Sequence, residues 1–337
     1  MWYTDQTDLT SAWALRLQQI GGNVGSMVYV VGNDGQLPQS SPSHNALRMI
    51  DLAGNPLQET NAQAINVQLT ARGQRTISGF NHDALRLPNG DTAVIAADGQ
   101  VISGTLVGGN MLIVLDKSFQ VTWTWDAFQH LTPPTPSGSG TVDWTHANSI
   151  DYSPADGSLL LSLRNLSWVL KIDYRSGAGD GAILWRLGKG GDFALVPRNP
   201  GDPYPWFSYQ HDANWLSART LELFDNGDTR CNNGATAGCD SRGQVYSLDE
   251  QTKVVTQTVN LDLGNYSGSL GSAQRLANGN YSFSSGNQSV PPPPFAQDME
   301  FQPNGTKVYV QQLSKEEYRG WRLATLYSSI NPPCPTC

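Results

Sequence analysis

The feature that most constrains this chain is a turn of Asn-Gly or Asp-Gly type that recurs between short β-rich runs. Pro88-Asn89-Gly90 leads into Asp91-Thr92-Ala93-Val94-Ile95-Ala96, and Ala155-Asp156-Gly157 leads into Ser158-Leu159-Leu160-Leu161-Ser162. Ala277-Asn278-Gly279 leads into Asn280-Tyr281-Ser282-Phe283, and Asn304-Gly305 stands just before Val308-Tyr309-Val310. Such dipeptides tolerate positive φ, so between apolar runs they signal hairpins. A second half-unit starts from an Ile/Leu-Asp pair, at Ile50-Asp51, Leu115-Asp116, Ile172-Asp173 and Leu248-Asp249. The two halves recur together every ~60–70 residues, a period that reads as blades of a propeller. The expected fold is therefore an all-β propeller, one domain over residues 1–330 with a Pro/Cys-rich tail at 331–337. About five or six four-stranded blades fit the length.

Composition agrees. Only 15% of the 337 residues are charged, while Gly (34) and Pro (20) are plentiful, as expected of many strands joined by tight turns. Ser11–Ile20 and Ser314–Tyr318 have helical patterns that are ambiguous with strands. Thr132–Gly140 and the Pro291–Pro294 run read as surface loops. A net charge of −8 argues against nucleic acid or an anionic membrane as partner. No apolar run approaches the ~18 residues of a membrane span. Met1-Trp2-Tyr3-Thr4-Asp5 does not open a signal peptide, so the protein is cytosolic or a leader has been removed. The cysteines favour the second choice. Cys231 and Cys239 bracket a polar loop, and Cys334 and Cys337 form a close pair in the tail. Neither pair has a neighbouring histidine to complete a zinc site, and both are expected to be disulfides in an oxidising compartment.

Of five histidines, three have similar surroundings: Asn81-His82-Asp83-Ala84, Thr145-His146-Ala147-Asn148 and Gln210-His211-Asp212-Ala213. Each precedes a β-rich run that opens a repeat. Equivalent positions in different blades converge at the mouth of the central channel, where imidazoles supply a nucleophile and proton transfer near neutral pH. Arg164 follows an apolar run one strand after His146, and its forked donors suit a tetrahedral oxyanion. Asn148, two residues after His146, faces the same way on an extended chain. Asp83 and Asp212 are expected to face away and cap turns. His44 and His130 read as surface residues, and Trp144, Trp206 and Tyr209 as aryl-pocket or packing residues.

These segments, in order, resemble the motifs of the bacterial arylsulfate sulfotransferases, the PAPS-independent arylsulfotransferases. Asn81–Gly90, Asp143–Ile150, Leu161–Arg164, Gln210–Ala213, Leu223-Phe224-Asp225-Asn226-Gly227 and Tyr318-Arg319 to Leu326-Tyr327 carry the resemblance. It implies a six-bladed β-propeller with the active site at its central channel. It also implies transfer of a sulfuryl group from an aryl sulfate donor to a phenolic acceptor, with ping-pong kinetics. By this resemblance His211 is the transiently sulfated nucleophile, and Arg164 and Asn148 hold the sulfuryl oxygens. His82 and His146 serve the leaving phenoxide and the acceptor. It implies small aryl sulfates and phenols as partners, no cofactor, no metal, and a periplasmic or secreted location. The amino-terminal β-sandwich of the family has little room before His82. Two other readings stay open. One is a non-catalytic extracellular propeller that binds or assembles; the other is a metal-dependent enzyme with His82, His146 and His211 as ligands.

Overall fold

The computed structural model describes residues 9–19, 26–34, 45–136, 140–288 and 295–323. His44, the Pro291–Pro294 run and the Cys334/Cys337 pair lie outside the described residues. The chain is mostly β-strand, and it divides into two compact units, with residues 1–150 and 176–181 in the first and residues 151–175 and 182–323 in the second.

The first unit holds two sheets. One runs β1 (Leu9–Gln19), β2 (Ser26–Asp34), β3 (Asn45–Asp51), β4 (Pro56–Asn61). The other runs β5 (Gly79–Arg86), β6 (Thr92–Ile102), β7 (Thr105–Leu115), β8 (Val121–Asp126). A short β9 (Thr141–Asp143) docks parallel on β7, and β10 (Ala147–Tyr152) leads out of the unit. Between the sheets' chain segments stands helix α1 (Ala62–Ala71). Its amino end is capped by Asn61, whose side chain accepts a hydrogen bond from the Ala64 N–H at 2.9 Å, satisfying a donor that the first helical turn leaves open. Ala62, Ile65 and Leu69 lie on one face and are fully buried with Leu47, Phe80, Val94 and Ile113.

The second unit continues the theme. β11 (Leu159–Leu163), β12 (Trp168–Ile172) and β13 (Ile183–Leu187) are antiparallel neighbours. β14 (Ala194–Val196) pairs parallel with β18 (Val254–Asp262), which continues through β17 (Arg242–Asp249) and β16 (Thr220–Asp225) to β15 (His211–Ser217). The last sheet runs β19 (Ser267–Ser269), β21 (Tyr281–Gln288), β22 (Phe295–Phe301), β23 (Lys307–Gln312), with β20 (Ser272–Arg275) also on β21. Trp185, Trp215, Phe207 and Tyr246 fill one core, and Phe224, Phe283 and Met299 another.

The recurring turns have a common construction. Leu87 N–H donates to Asp91 O and Gly90 N–H to Leu87 O, and the same two bonds recur as Leu276/Asn280 with Gly279/Leu276 and as Gln302/Thr306 with Gly305/Gln302. The turn over Ser153–Ser158 is one residue longer. Glycine is required at the closing position, where φ is +89° at Gly90 and +86° at Gly279, a region costly for a residue with a Cβ. The Ile/Leu-Asp half-unit works differently. Asp51 accepts from the Ala53 and Asn55 amides, Asp116 from those of Ser118 and Gln120, and Asp249 from those of Gln251 and Thr252. An aspartate at the turn entrance thus satisfies amides that the strands cannot.

Neither segment with a helical pattern is a helix. Ser11–Gln19 lies within β1, and Ser314–Tyr318 has no regular structure.

Candidate active site

Each histidine singled out above stands at an irregular point of the backbone. The register between β5 and β6 shifts between Phe80 and Ala84, and that between β15 and β16 shifts between His211 and Asn214. These bulges twist the strand start and re-aim a side chain. Positive φ accompanies them: +55° at His82, +49° at His146 and +51° at Asp212. Left-handed backbone at non-glycine residues is sparsely populated and clusters at functional sites.

The bulges are held by the aspartates that follow two of the histidines. Asp83 is fully buried and takes Arg16 Nη2 at 2.9 Å, Arg16 Nε at 3.3 Å and the Ile150 amide at 3.0 Å. Arg16 Nη2 also donates to Ile150 O at 3.0 Å. In the second unit Asp212 is paired with Arg319 at 3.2 Å and accepts from the Ala273 amide at 3.1 Å. Asp83 and Asp212 are therefore buried clamps on the first strand of a following repeat, not turn caps. Nothing local in the sequence points to their arginine partners, 67 residues before Asp83 and 107 after Asp212 in chain order.

In the first unit the His82 and His146 rings lie 4.8 Å apart, tilted by 38°. His146 Nδ1 is 2.5 Å from Asp143 Oδ2, with 30% of the His146 side chain exposed. The parallel docking of β9 on β7 sets Asp143 there, Gly108 standing opposite it. Asn110 Oδ1 accepts from the Ala147 amide at 2.8 Å and the Thr145 hydroxyl at 2.7 Å, fixing the backbone on both sides of His146. Asn148 follows on β10 and is fully buried.

In the second unit Arg164 and His211 are organised by one segment, Ser267–Leu270. Arg164 Nη2 donates to Gly268 O at 3.0 Å and to Asp228 Oδ2 at 3.1 Å, and Nη1 donates to Asn165 Oδ1 at 2.9 Å. The guanidinium lies 4.8 Å over the Tyr209 ring. Its Nε is buried and has no hydrogen-bond partner among the described residues. His211, 3% exposed, has Nδ1 2.7 Å from Asn226 Oδ1. Asn226 in turn donates to Ser267 O at 2.7 Å and Leu270 O at 3.0 Å. Tyr318 meets the His211 ring edge-on at 6.5 Å. Burial pushes the Asp228 carboxyl up to about 6 against the pull of Arg164 and a hydrogen bond from the Tyr266 hydroxyl at 3.0 Å. Burial also pushes the Tyr266 hydroxyl up, and the neighbouring Asp228 adds to it.

Of the five residues expected at the site, the first unit thus groups His82, His146 and Asn148, and the second groups Arg164 and His211. Sequence reasoning gave no role to Asn226, Asp143, Asp228 or Tyr266, although Asn226 and Asp143 fall inside the quoted motifs. Trp144 is 5% exposed and packs on Phe128, while the half-buried Trp206 packs on Phe207 and Tyr246 at the edge of a core, so both have packing roles. His130 is not a free surface residue: it stacks on Trp125 at 5.1 Å, and burial lowers its basicity. Cys231 and Cys239 form the expected disulfide. Among the described residues no helix is long and apolar enough to cross a membrane.

A buried imidazole can attack, and an arginine with an uncommitted donor among the described residues can hold a tetrahedral oxyanion; here both are tied to the same backbone segment. Among solved structures, a protein of unknown function from Bacteroides caccae aligns over 90% of this chain and 82% of its own, at 12% identity and a TM-score of 0.48. A Lactobacillus plantarum protein aligns over 89% and 71%, at 14% identity and a TM-score of 0.44. A putative 6-phosphogluconolactonase from Bacteroides uniformis aligns over 91% and 74%, at 11% identity and a TM-score of 0.43. No curated protein matches the chain. The sequence model of the arylsulfotransferase (ASST) family matches residues 2–322, nearly the whole chain, and the protein belongs to that family.

Proposed function

We propose that this protein moves a sulfuryl group from an aryl sulfate to a phenolic acceptor through a sulfated His211, in two displacements and without PAPS. The observation that carries the reading lies in the second unit: a buried imidazole and a guanidinium whose Nε–H has no partner among the described residues are tied to one four-residue segment, in a member of the arylsulfotransferase family. Sulfuryl transfer resembles phosphoryl transfer in its loose transition state, so positioning and charge stabilisation do most of the catalysis. Arg164, with Asn148, takes the sulfuryl oxygens. Proton transfer to the leaving aryloxide and from the acceptor falls to His82 and His146, with Asp143 orienting the His146 ring. The disulfide supports a periplasmic or secreted location. The proposed architecture, a six-bladed propeller with the site at its central channel, rests on membership of the family.

The test is steady-state turnover of a chromogenic aryl sulfate against a panel of phenols. The reading predicts parallel double-reciprocal plots and loss of turnover in His211→Ala. Lack of both sulfate transfer and aryl sulfate hydrolysis in the unaltered protein would overturn it.

A further inference from the structure

The geometry points to Asn226 as a positioning residue that fixes the tautomer of His211, so that Nδ1 keeps its hydrogen and Nε2 carries the reactive lone pair. The inference deepens the function proposed above and rests on it only for the identity of the group transferred.

An asparagine beside a histidine nitrogen is ambiguous until its own amide is oriented, because its oxygen and nitrogen are nearly isosteric. Here the ambiguity is removed. The Asn226 side chain is fully buried, and its other end faces two carbonyl oxygens, Ser267 O at 2.7 Å and Leu270 O at 3.0 Å. Only an NH2 group can satisfy two carbonyls; turned the other way, three oxygens would crowd together in a buried site. Oδ1 must then be the atom 2.7 Å from His211 Nδ1, and an amide oxygen can only accept. Nδ1 is therefore protonated in the neutral ring, and the lone pair resides on Nε2.

The carbonyls are themselves held. Ser267 N–H donates to Ser241 Oγ at 2.9 Å, Ser267 Oγ donates to Ser269 O at 2.8 Å, and Ser241 Oγ donates to Asn226 O at 2.9 Å. Leu270 has φ +61°, an unusual conformation for a leucine, and its carbonyl is one of the two that fix Asn226. The same segment supplies Gly268 O to Arg164, so tautomer and guanidinium are set by one piece of backbone.

The Nε2 lone pair forms the N–S bond while the S–O(aryl) bond breaks, and the aryloxide leaves with that electron pair and is protonated. Nδ1–H stays on the ring, giving a sulfoimidazolium whose positive charge is spread over both nitrogens. The acceptor oxygen then attacks sulfur, loses its proton, and the N–S electrons return to Nε2. A neutral acceptor at Nδ1 stabilises this cation without removing its proton, which keeps the imidazole a good leaving group in the second half.

The test is nitrogen NMR of the whole protein labelled with 15N-histidine, at a pH where the ring is neutral, with the His211 signals identified by their absence in His211→Gln. The expected spectrum has Nδ1 in the protonated range and Nε2 in the unprotonated range. Asn226→Ala is expected to show mixed tautomers and turnover reduced by about 10–100-fold, the size of one hydrogen bond to a charged group. An unprotonated Nδ1 in the unaltered protein overturns the inference even if the variant fails to fold. So does Asn226→Ala with an unchanged spectrum and rate. The predicted spectrum in a protein that transfers no sulfate would support the tautomer assignment and count against the proposed function instead.

Discussion

Glu222 offers a quantitative check on the second unit. Its carboxyl on β16 is fully buried, and Oε1 accepts the Arg275 amide at 3.0 Å. Burial raises it from 4.5 to about 8; Asp212 and Asp151 push the same way, and Arg275 pulls against them. The folded protein therefore keeps a proton that the unfolded chain releases above pH 4.5. With the folded value raised, stability from this group is full below about pH 4.5, falls as pH rises, and levels off above about 8. Each pH unit inside that window costs up to ~1.4 kcal/mol, so the loss between pH 5 and 7 is ~2–3 kcal/mol. Glu222→Gln keeps an acceptor for Arg275 N–H and has no proton to lose. Urea unfolding followed by tryptophan fluorescence should show the variant gaining ~2–3 kcal/mol on the parent between pH 5 and 7. Asp228, raised to about 6, and Glu317, raised to about 7 by burial and Asp298, titrate in both proteins and drop out of the difference. A difference that is flat from pH 5 to 8 would refute the burial argument.

Three further predictions concern the scaffold and the site. Arg16→Met leaves Asp83 buried without its cation and should cost ~3–5 kcal/mol, less in the Arg16→Met, Asp83→Asn double variant; equal losses in the two, measured by thermal unfolding, would mean the pair is not coupled. Replacing Cys231 and Cys239 by serine opens a loop of sequence separation 8, for which chain entropy predicts a loss of ~2–3 kcal/mol, with an unchanged urea midpoint as the contrary result. Arg164→Lys keeps the charge but not the fork, so kcat/KM for an aryl sulfate should fall ~100-fold. Activity equal to the parent's would remove Arg164 from oxyanion binding.

Much of the repeat was legible because its turns are dictated locally. Asn-Gly at 89–90, 278–279 and 304–305 admits few backbone paths, and the aspartates at 51, 116 and 249 need only amides two to four residues away. Helix α1 was missed although Asn61 and the 62/65/69 spacing announce it; β-branched and polar residues within the ten dilute the signal. The candidate site divides the same way. His82, His146 and His211 could be picked out by their matching surroundings. The partners of Asp83 and Asp212 could not, since Arg16 and Arg319 meet them only through long-range packing, Arg319 from a segment outside any strand. Asn226 sat within a quoted motif, yet its meaning depends on two carbonyls 41 and 44 residues later.

The central claim is that His211 carries the sulfuryl group between the two half-reactions. Mixing the protein with 35S-labelled aryl sulfate in the absence of acceptor, quenching under alkaline conditions and mapping the label tests it directly. The account predicts label on the peptide containing His211, discharged when a phenol is added before the quench. Turnover that proceeds with no label on that peptide, or label that phenol does not remove, would contradict it.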